Sequence, residues 1–248
     1  MKTLKSKISQ LTLVACILIA QSACSQFNWN NVDKTIKKTI ADNTQKKPLS
    51  NDEVIKGLKE ALTVGSNNSS TNASKVDGYF KHPVIKIPFP PEAAKVEKTV
   101  RDLGMGSQVD KFVLTVNRAA EEAAKSAAPV FVDAVKNMTI TDGMNILKGA
   151  DNAATAYLQK STTTTLQAKF RPIVDQAIQK VEVTKYWNPV MTAYNNIPFV
   201  DHINPDLNSY ITGKALDGLF YLVAQEELKI RKDPLARVSD ILKRVFGS

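Results

Sequence analysis

The chain has 248 residues, of which 43% are hydrophobic and 23% charged, with 10 Gly, 11 Pro, 2 Cys and a formal net charge of +9. This is the balance of a folded globular protein, and it excludes collagen-like, disulfide-framework and wholly disordered chains. The length suits one or two domains.

Lys2, Lys5 and Lys7 open the chain, and no acidic residue occurs among the first 24. The run 11–20 (LTLVACILIA) is apolar, and Gln21-Ser22-Ala23-Cys24 follows it. A basic start, a short apolar run and small residues before a cut site predict a signal peptide over residues 1–23. The apolar run is about half the roughly 20 residues that a membrane-spanning helix needs. Two cleavage sites compete. Ala20 and Ser22 suit ordinary signal peptidase, whereas Ser22-Ala23-Cys24 suits a lipoprotein peptidase, with Gln21 standing where Leu is usual. Leu13-Val14-Ala15-Cys16 matches such a site better but leaves too little apolar run before it. Cys16 departs with the signal, so Cys24 becomes the one cysteine of the exported chain, with no disulfide partner. A diacylglyceryl anchor on Cys24 accounts for it, and two or more acyl chains hold a protein stably at a membrane. By resemblance to Gram-negative lipoproteins, Ser25 in place of Asp implies retention at the periplasmic face of the outer membrane. Cleavage at the ordinary site would instead give a soluble periplasmic protein. Losing the three signal lysines lowers the formal charge from +9 to about +6. In the envelope, acidic partners are lipid headgroups and anionic surface polymers rather than nucleic acid. Charges spread over solvated helix faces need no partner at all.

Residues 24–48 read as a tether, in which Val32, Ile36 and Ile40 form a narrow helical stripe. Phe27 and Trp29 suit either a membrane interface or a staple onto the domain. From Ser50 the helical signals strengthen. Ser50-Asn51-Asp52-Glu53 is a capping box, followed by an apolar face of Val54, Ile55, Leu58, Ala61 and Leu62 and a stop at Gly65. Residues 66–75 (SNNSSTNASK) read as polar and at most weakly helical. In residues 79–91 (YFKHPVIKIPFPP) the prolines forbid a helix, and Ile85, Ile87 and Phe89 alternate along an extended segment. That segment either pairs as a small hairpin or lies across helices. Pro91 opens a helix that stops at Gly104.

Ser107 is predicted to cap an Ala-rich helix to about Ala127, with Phe112, Val113, Val116, Ala119, Ala120 and Ala123 inward. Pro129 starts the next, with Val130, Phe131, Ala134, Val135 and Met138. Thr141 is predicted to cap a short helix ending at Gly149, and Asp151 another carrying Ala154, Tyr157 and Leu158. A separate helix starts near Ser161 and runs to about Val181, kinked or broken at Pro172. Thr184 caps a helix with Tyr186, Trp187, Val190, Met191 and Tyr194. A short helix opens at Pro205 or Asp206, followed by one over residues 213–232. Pro234 begins the last, with Leu235, Val238, Ile241, Leu242 and Val245 as its stripe. No run of strands and no fixed-period repeat occurs in the sequence. The expected fold is all-α, an irregular multi-helix bundle over residues 49–248 with one short extended Pro-rich segment near residues 79–91.

Three stretches carry a resemblance: GYFKHPVIKIPFPP at 78–91, MTITDGMNILKGADNAATAYL at 138–158 and KALDGLFYLVAQEELKIRKDP at 214–234. Their order and spacing resemble the bacterial envelope proteins of domain-of-unknown-function family 4197. The resemblance implies an exported, helical, Gram-negative protein with no assigned activity, so no functional residue carries over from it.

Counting removes most catalytic chemistry. The chain has two histidines, His82 and His202, and no mature cysteine besides Cys24. H-E-x-x-H, di-iron E-x-x-H pairs and Cys/His zinc sets are therefore absent from the sequence, and no metal or other cofactor is expected. G-x-S-x-G, a third glycine after Gly104 and Gly106, and a P-loop around Gly213-Lys214 are also missing. Asp142 and Asp151 read as helix caps. Arg118, Arg171, Asp217 and Glu226 interrupt apolar surroundings. They read as a buried ion-pair network or as the lining of a polar cleft. Tyr186, Trp187, Tyr194 and Tyr210 read as aromatic core or a stacking surface. Three functions fit this inventory: a non-enzymatic envelope lipoprotein that binds another envelope component, a carrier of a lipid or other apolar ligand, and a hydrolase using acidic residues.

Overall fold

The computed structural model describes residues 49–180, 206–237 and 239–246, together with 187, 192, 195, 196, 198, 199 and 202. Contacts divide the chain into Met1–Pro48 and Leu49–Ser248, and the described residues lie in the second unit. The signal, Cys24, the tether, Tyr186, Tyr194 and Val238 fall outside them.

The element order begins with α1 (Asn51–Ser74), a 3-10 turn (Pro91–Ala93), α2 (Ala94–Val100) and a wide turn (Arg101–Met105). It continues with α3 (Gly106–Ala124), α4 (Ala127–Asn137), α5 (Ile140–Lys148), α6 (Ala153–Ile178) and α7 (Leu207–Lys232). A second 3-10 turn (Pro234–Ala236) and α8 (Asp240–Phe246) follow. The fold is an all-α, irregular bundle, with no strand among the described residues.

Local chemistry sets several of these ends. Ser50 Oγ accepts from the Glu53 N–H at 3.2 Å, and Glu53 Oε2 accepts from the Ser50 N–H at 2.9 Å, completing the expected box. Pro91 opens its turn, and the helix after it gives way in the wide turn containing Gly104, whose φ of +80° ordinary side chains avoid. Thr139, not Thr141, caps α5: its hydroxyl accepts from the Asp142 N–H while Asp142 returns to the Thr139 N–H. Asp142 thus belongs to a cap as expected. No side chain caps α3, so the role assigned to Ser107 fails: the helix starts at Gly106 and Ser107 lies inside it.

α1 is the centre of the bundle. It packs against α3, α4, α5, α7 and α8. The expected stop at Gly65 and the loose stretch after it are wrong: the helix continues to Ser74, and Ser66, Ser69, Ser70 and Ala73 are buried. The reason is size. Small side chains admit neighbouring helices closely, and Ser69 Oγ satisfies itself by donating to the Gly65 carbonyl at 2.7 Å.

α6 is likewise one helix, not two. The hydroxyls of Ser161, Thr162 and Thr163 donate to carbonyls one turn back, so the run adds no competing turn, and Pro172 sits inside the helix without ending it. α7 runs through Gly213 without a break, capped by Asp206. The last helix starts at Asp240 rather than Pro234. Asp233 caps a separate 3-10 turn and leaves Leu235 90% exposed, outside the predicted stripe. Arg237 turns the chain back by donating to the carbonyls of Ile230 and Arg231 at the end of α7.

The main core gathers Tyr79, Ile87 and Phe89 with Phe112, Leu166 and Leu219. Phe89 meets Phe112 edge-on at 5.2 Å and Trp187 at 5.5 Å, which places Trp187 in the core. The Pro-rich segment forms no hairpin. It lies across helices with Ile85, Ile87 and Phe89 buried and Val84, Lys86 and Pro88 exposed, the alternation that its sequence predicted.

Candidate functional site

The extended segment is held in place by side chains that stand in for a partner strand. Asn117 on α3 accepts from the Ile87 N–H through Oδ1 at 2.9 Å. Its Nδ2 donates to the Ile87 carbonyl at 2.8 Å and to the Val113 carbonyl at 2.7 Å. One turn later on α3, Glu121 Oε1 accepts from the N–H groups of Tyr79 and Phe80. His82 Nδ1 accepts from the N–H groups of Val84 and Ile85, which assigns the proton of the neutral ring to Nε2. Tyr79 is fully buried and donates its hydroxyl to the Ala215 carbonyl of α7 at 2.6 Å. Burial pushes its phenol pKa up.

Two glycines permit the close approach. A Cβ at Gly218 would lie 2.7 Å from the Tyr79 ring and 2.9 Å from Ile85 Cβ, so α7 accepts the segment only with glycine there. A Cβ at Gly78 would lie 2.5 Å from the Asn72 carbonyl oxygen and 2.6 Å from that of Ala73, so the turn leaving α1 is closed to larger residues.

Between the segment and α7 runs an open groove of about 250 Å³. Residues 84–87 form one wall; Lys214, Asp217, Gly218 and Tyr221 form the other. Val84 stands 58% exposed at its edge. The Lys86 ammonium sits over the Phe80 ring at 4.8 Å. Lys214 Nζ lies 3.9 Å from Asp217, the outer limit of an ion pair. The Tyr221 ring meets the edge of His82 at 6.1 Å. Lys86, Lys214 and Asp217 are the charged residues lining this partly apolar trough.

The model of the family described as "Protein of unknown function (DUF4197)" matches residues 48–247. The chain belongs to this family. No curated protein and no solved structure matches it. The stretch matched as DUF4197 contains the groove, α3 with its polar side chains, and all three segments that carried the resemblance.

Within this DUF4197 domain the four interrupting residues go to separate places. Arg118 donates to Glu121 Oε2 at 2.6 Å and to Asp77 Oδ1 at 2.7 Å. Arg171 lies 3.6 Å from Asp206 on the surface. Glu226 accepts from Asn68 of α1 and from Lys229. Asp217 alone lines the groove. They form neither one network nor one cleft. Cys24 lies outside the described residues, and no group of His, Cys, Asp or Glu among the described residues has the arrangement of a metal site.

The buried polar residues that organise the fold are others. Asn117 and Glu121 follow Val113 at helical spacing of four, on a face that is otherwise apolar, and this was the signal available in the sequence. Glu227, not Glu226, is the buried acid of α7, four residues after Val223 and three before Ile230. Its carboxylate accepts from the N–H groups of Ala154 and Thr155 and thereby caps α6. Asp151 therefore does not cap that helix. It pairs with Lys232 at 2.8 Å instead.

Several carboxyls are held below their ordinary value of 3.8. The causes are hydrogen bonds from Lys81 and then Arg118 at Asp77, and from the Thr139 hydroxyl and then its N–H at Asp142. At Asp151 the cause is the bond from Lys232, and at Asp206 those from the Ser209 hydroxyl and then its N–H. Each binds fewer protons folded than unfolded, so its contribution is complete above the unfolded value and is lost as pH falls through the folded one. Thermal melting should accordingly be flat from neutrality to about pH 5 and fall steadily below about pH 4. The Asp77→Asn, Asp142→Asn double variant should lose part of that slope. A wild-type melting temperature unchanged down to about pH 2 would contradict the assignment.

Proposed function

We propose that this protein is a non-catalytic binding lipoprotein of the cell envelope. It is anchored through Cys24 at the periplasmic face of the outer membrane and receives another envelope component in the groove between residues 84–87 and α7. The observation that supports binding is the groove itself. Lys86, Lys214, Asp217 and Tyr221 are gathered there on a braced backbone and face solvent, whereas Arg118, Glu121, Glu227 and Arg231 are engaged in holding the fold together.

The two other readings draw less support. The space enclosed by α1, α6 and α7 around Leu62, Ser66 and Leu158 is about 20 Å³, the scale of one water molecule and not of an acyl chain. No helix of the described residues is long and apolar enough to cross a membrane. For hydrolysis, Asp217 and Glu226 are nine positions apart on one helix, an axial separation of about 13 Å. Paired glycosidase carboxylates sit at about 5–9.5 Å.

Two measurements test the proposal. Cys24→Ser should move the protein from the membrane fraction to the soluble fraction with its melting temperature unchanged. Retention on membranes after high-salt and carbonate washing would refute the anchor. A photoreactive phenylalanine at Val84, in the full chain in cells, should form a discrete adduct that Lys214→Glu weakens. An adduct pattern identical to that from the same probe at Lys148, on α5 outside the groove, would refute the binding surface.

A further inference from the structure

We infer that the groove takes a short segment of a carboxylate-bearing glycan. This rests on the groove being the binding surface and names its ligand class.

The hydrogen-bonding capacity of the extended wall points first. The N–H groups of Val84 and Ile85 are held by His82 Nδ1, that of Lys86 by the His82 carbonyl and that of Ile87 by Asn117, while Pro88 has none. No backbone donor in residues 84–88 remains for a ladder. A second copy of this segment, or a peptide adding as a strand, needs donors and acceptors in alternation and finds only acceptors. The carbonyls of Val84, Ile85 and Lys86 receive no hydrogen bond from the described residues. A partner that meets this wall must donate, and a row of hydroxyls does so.

The charged groups point second. Lys86 and Lys214 against Asp217 leave the groove with one excess positive charge. Neither lysine is engaged in a short ion pair, since Lys86 rests on the Phe80 ring and Lys214 is 3.9 Å from Asp217. Carboxylates on the partner meet both ammonium groups, and Asp217 accepts from hydroxyls. Tyr221 is steadied by its edge contact with His82 and offers an aromatic surface with a polar tip, suited to the mixed apolar and hydroxyl faces of a sugar ring. The trough is open and about 250 Å³, which suits a linear polymer crossing it rather than an enclosed small molecule.

The test uses the full chain carrying Cys24→Ser, titrated by calorimetry and by amide NMR with short oligogalacturonate, with neutral maltooligosaccharide and with polyphosphate. Oligogalacturonate should bind and shift the amides of Val84–Ile87 and Lys214–Tyr221. The Lys86→Glu, Lys214→Glu variant should bind about tenfold more weakly or worse at an unchanged melting temperature, because both side chains are exposed. Maltooligosaccharide should bind far more weakly. Equal binding of polyphosphate at the same amides would reduce the groove to an anion sink and overturn the glycan assignment. Unchanged affinity in the double variant would overturn it too. Failure of oligogalacturonate to bind while the Val84 adduct persists would reject the ligand class and leave the binding surface standing. Loss of both would reject both.

Discussion

Glu227→Ala is expected to destabilise the domain by about 3–5 kcal/mol, the range found when one partner of a buried ion pair is removed. Three functions end with that one carboxylate. Its oxygens accept from the N–H groups of Ala154 and Thr155 at 3.0 and 2.8 Å and from the Thr155 hydroxyl at 2.7 Å. They also accept from Arg231 Nε and Nη2 at 3.0 and 2.8 Å. The Glu227 side chain is 5% exposed and that of Arg231 13%, so water does not replace the lost partner. Among the described residues Arg231 retains the Ile146 carbonyl alone, and the α6 N-terminus loses an acceptor at its positive end. A whole domain is worth about 5–15 kcal/mol, so the variant should sit near its stability limit. Urea unfolding followed by circular dichroism reads this as a lowered midpoint at constant slope. A Glu227→Leu, Arg231→Leu double variant should recover the ion-pair part of the loss but not the cap. A midpoint shift in Glu227→Ala worth less than about 1 kcal/mol would show that the pair and the cap are dispensable.

Asn117→Leu should cost about 2–6 kcal/mol and loosen the groove. Asn117 is wholly buried and Ile87 is 1% exposed, so the variant leaves the Ile87 N–H and carbonyl dry and unpartnered, at about 1–3 kcal/mol each. Asn117→Asp separates polarity from geometry. It keeps an acceptor for the Ile87 N–H but sets a carboxylate against the Ile87 and Val113 carbonyls. The loss at neutral pH should therefore be at least as large, with partial recovery on acidification as a protonated carboxyl becomes a donor. Fluorescence of Trp187, which packs on Phe89 two residues along, reports the detachment of the segment. Denaturation midpoints equal to wild type in both variants would show that the segment is held by its apolar side chains alone.

These two side chains also mark where reading the sequence ran short. The box at Ser50, the turn at Gly104 and the alternation of Ile85, Ile87 and Phe89 each depend on groups a few residues apart, and all were legible. The stretch after Gly65 was misread because serines look polar in isolation and become core only when neighbouring helices close over them. The run from Ser161 to Thr165 was misread as a helix start because hydroxyls that cap a helix elsewhere here bond back to their own helix. Asp151 was given a cap that Glu227 supplies from another helix. In α7 the register of Leu216, Leu219, Phe220, Val223 and Ile230 singles out position 227, so Glu227 could have been preferred to Glu226 from spacing alone.

Of the candidate site, the sequence singled out Asp217, as a charge among apolar neighbours, and not Lys86, Lys214 or Tyr221. It did not say which would meet. The helical class, the Pro-rich extended segment and the family resemblance all rest on patterns within a few tens of residues, where backbone geometry and apolar periodicity act directly. The groove rests on Asn117 reaching Ile87 across 30 positions, Tyr79 reaching Ala215 across 136, and Glu227 reaching Thr155 across 72. Such bonds gain their worth from burial, and burial exists only after the helices have packed. Which polar residues hold the fold and which remain for a partner is therefore a property of the assembled bundle.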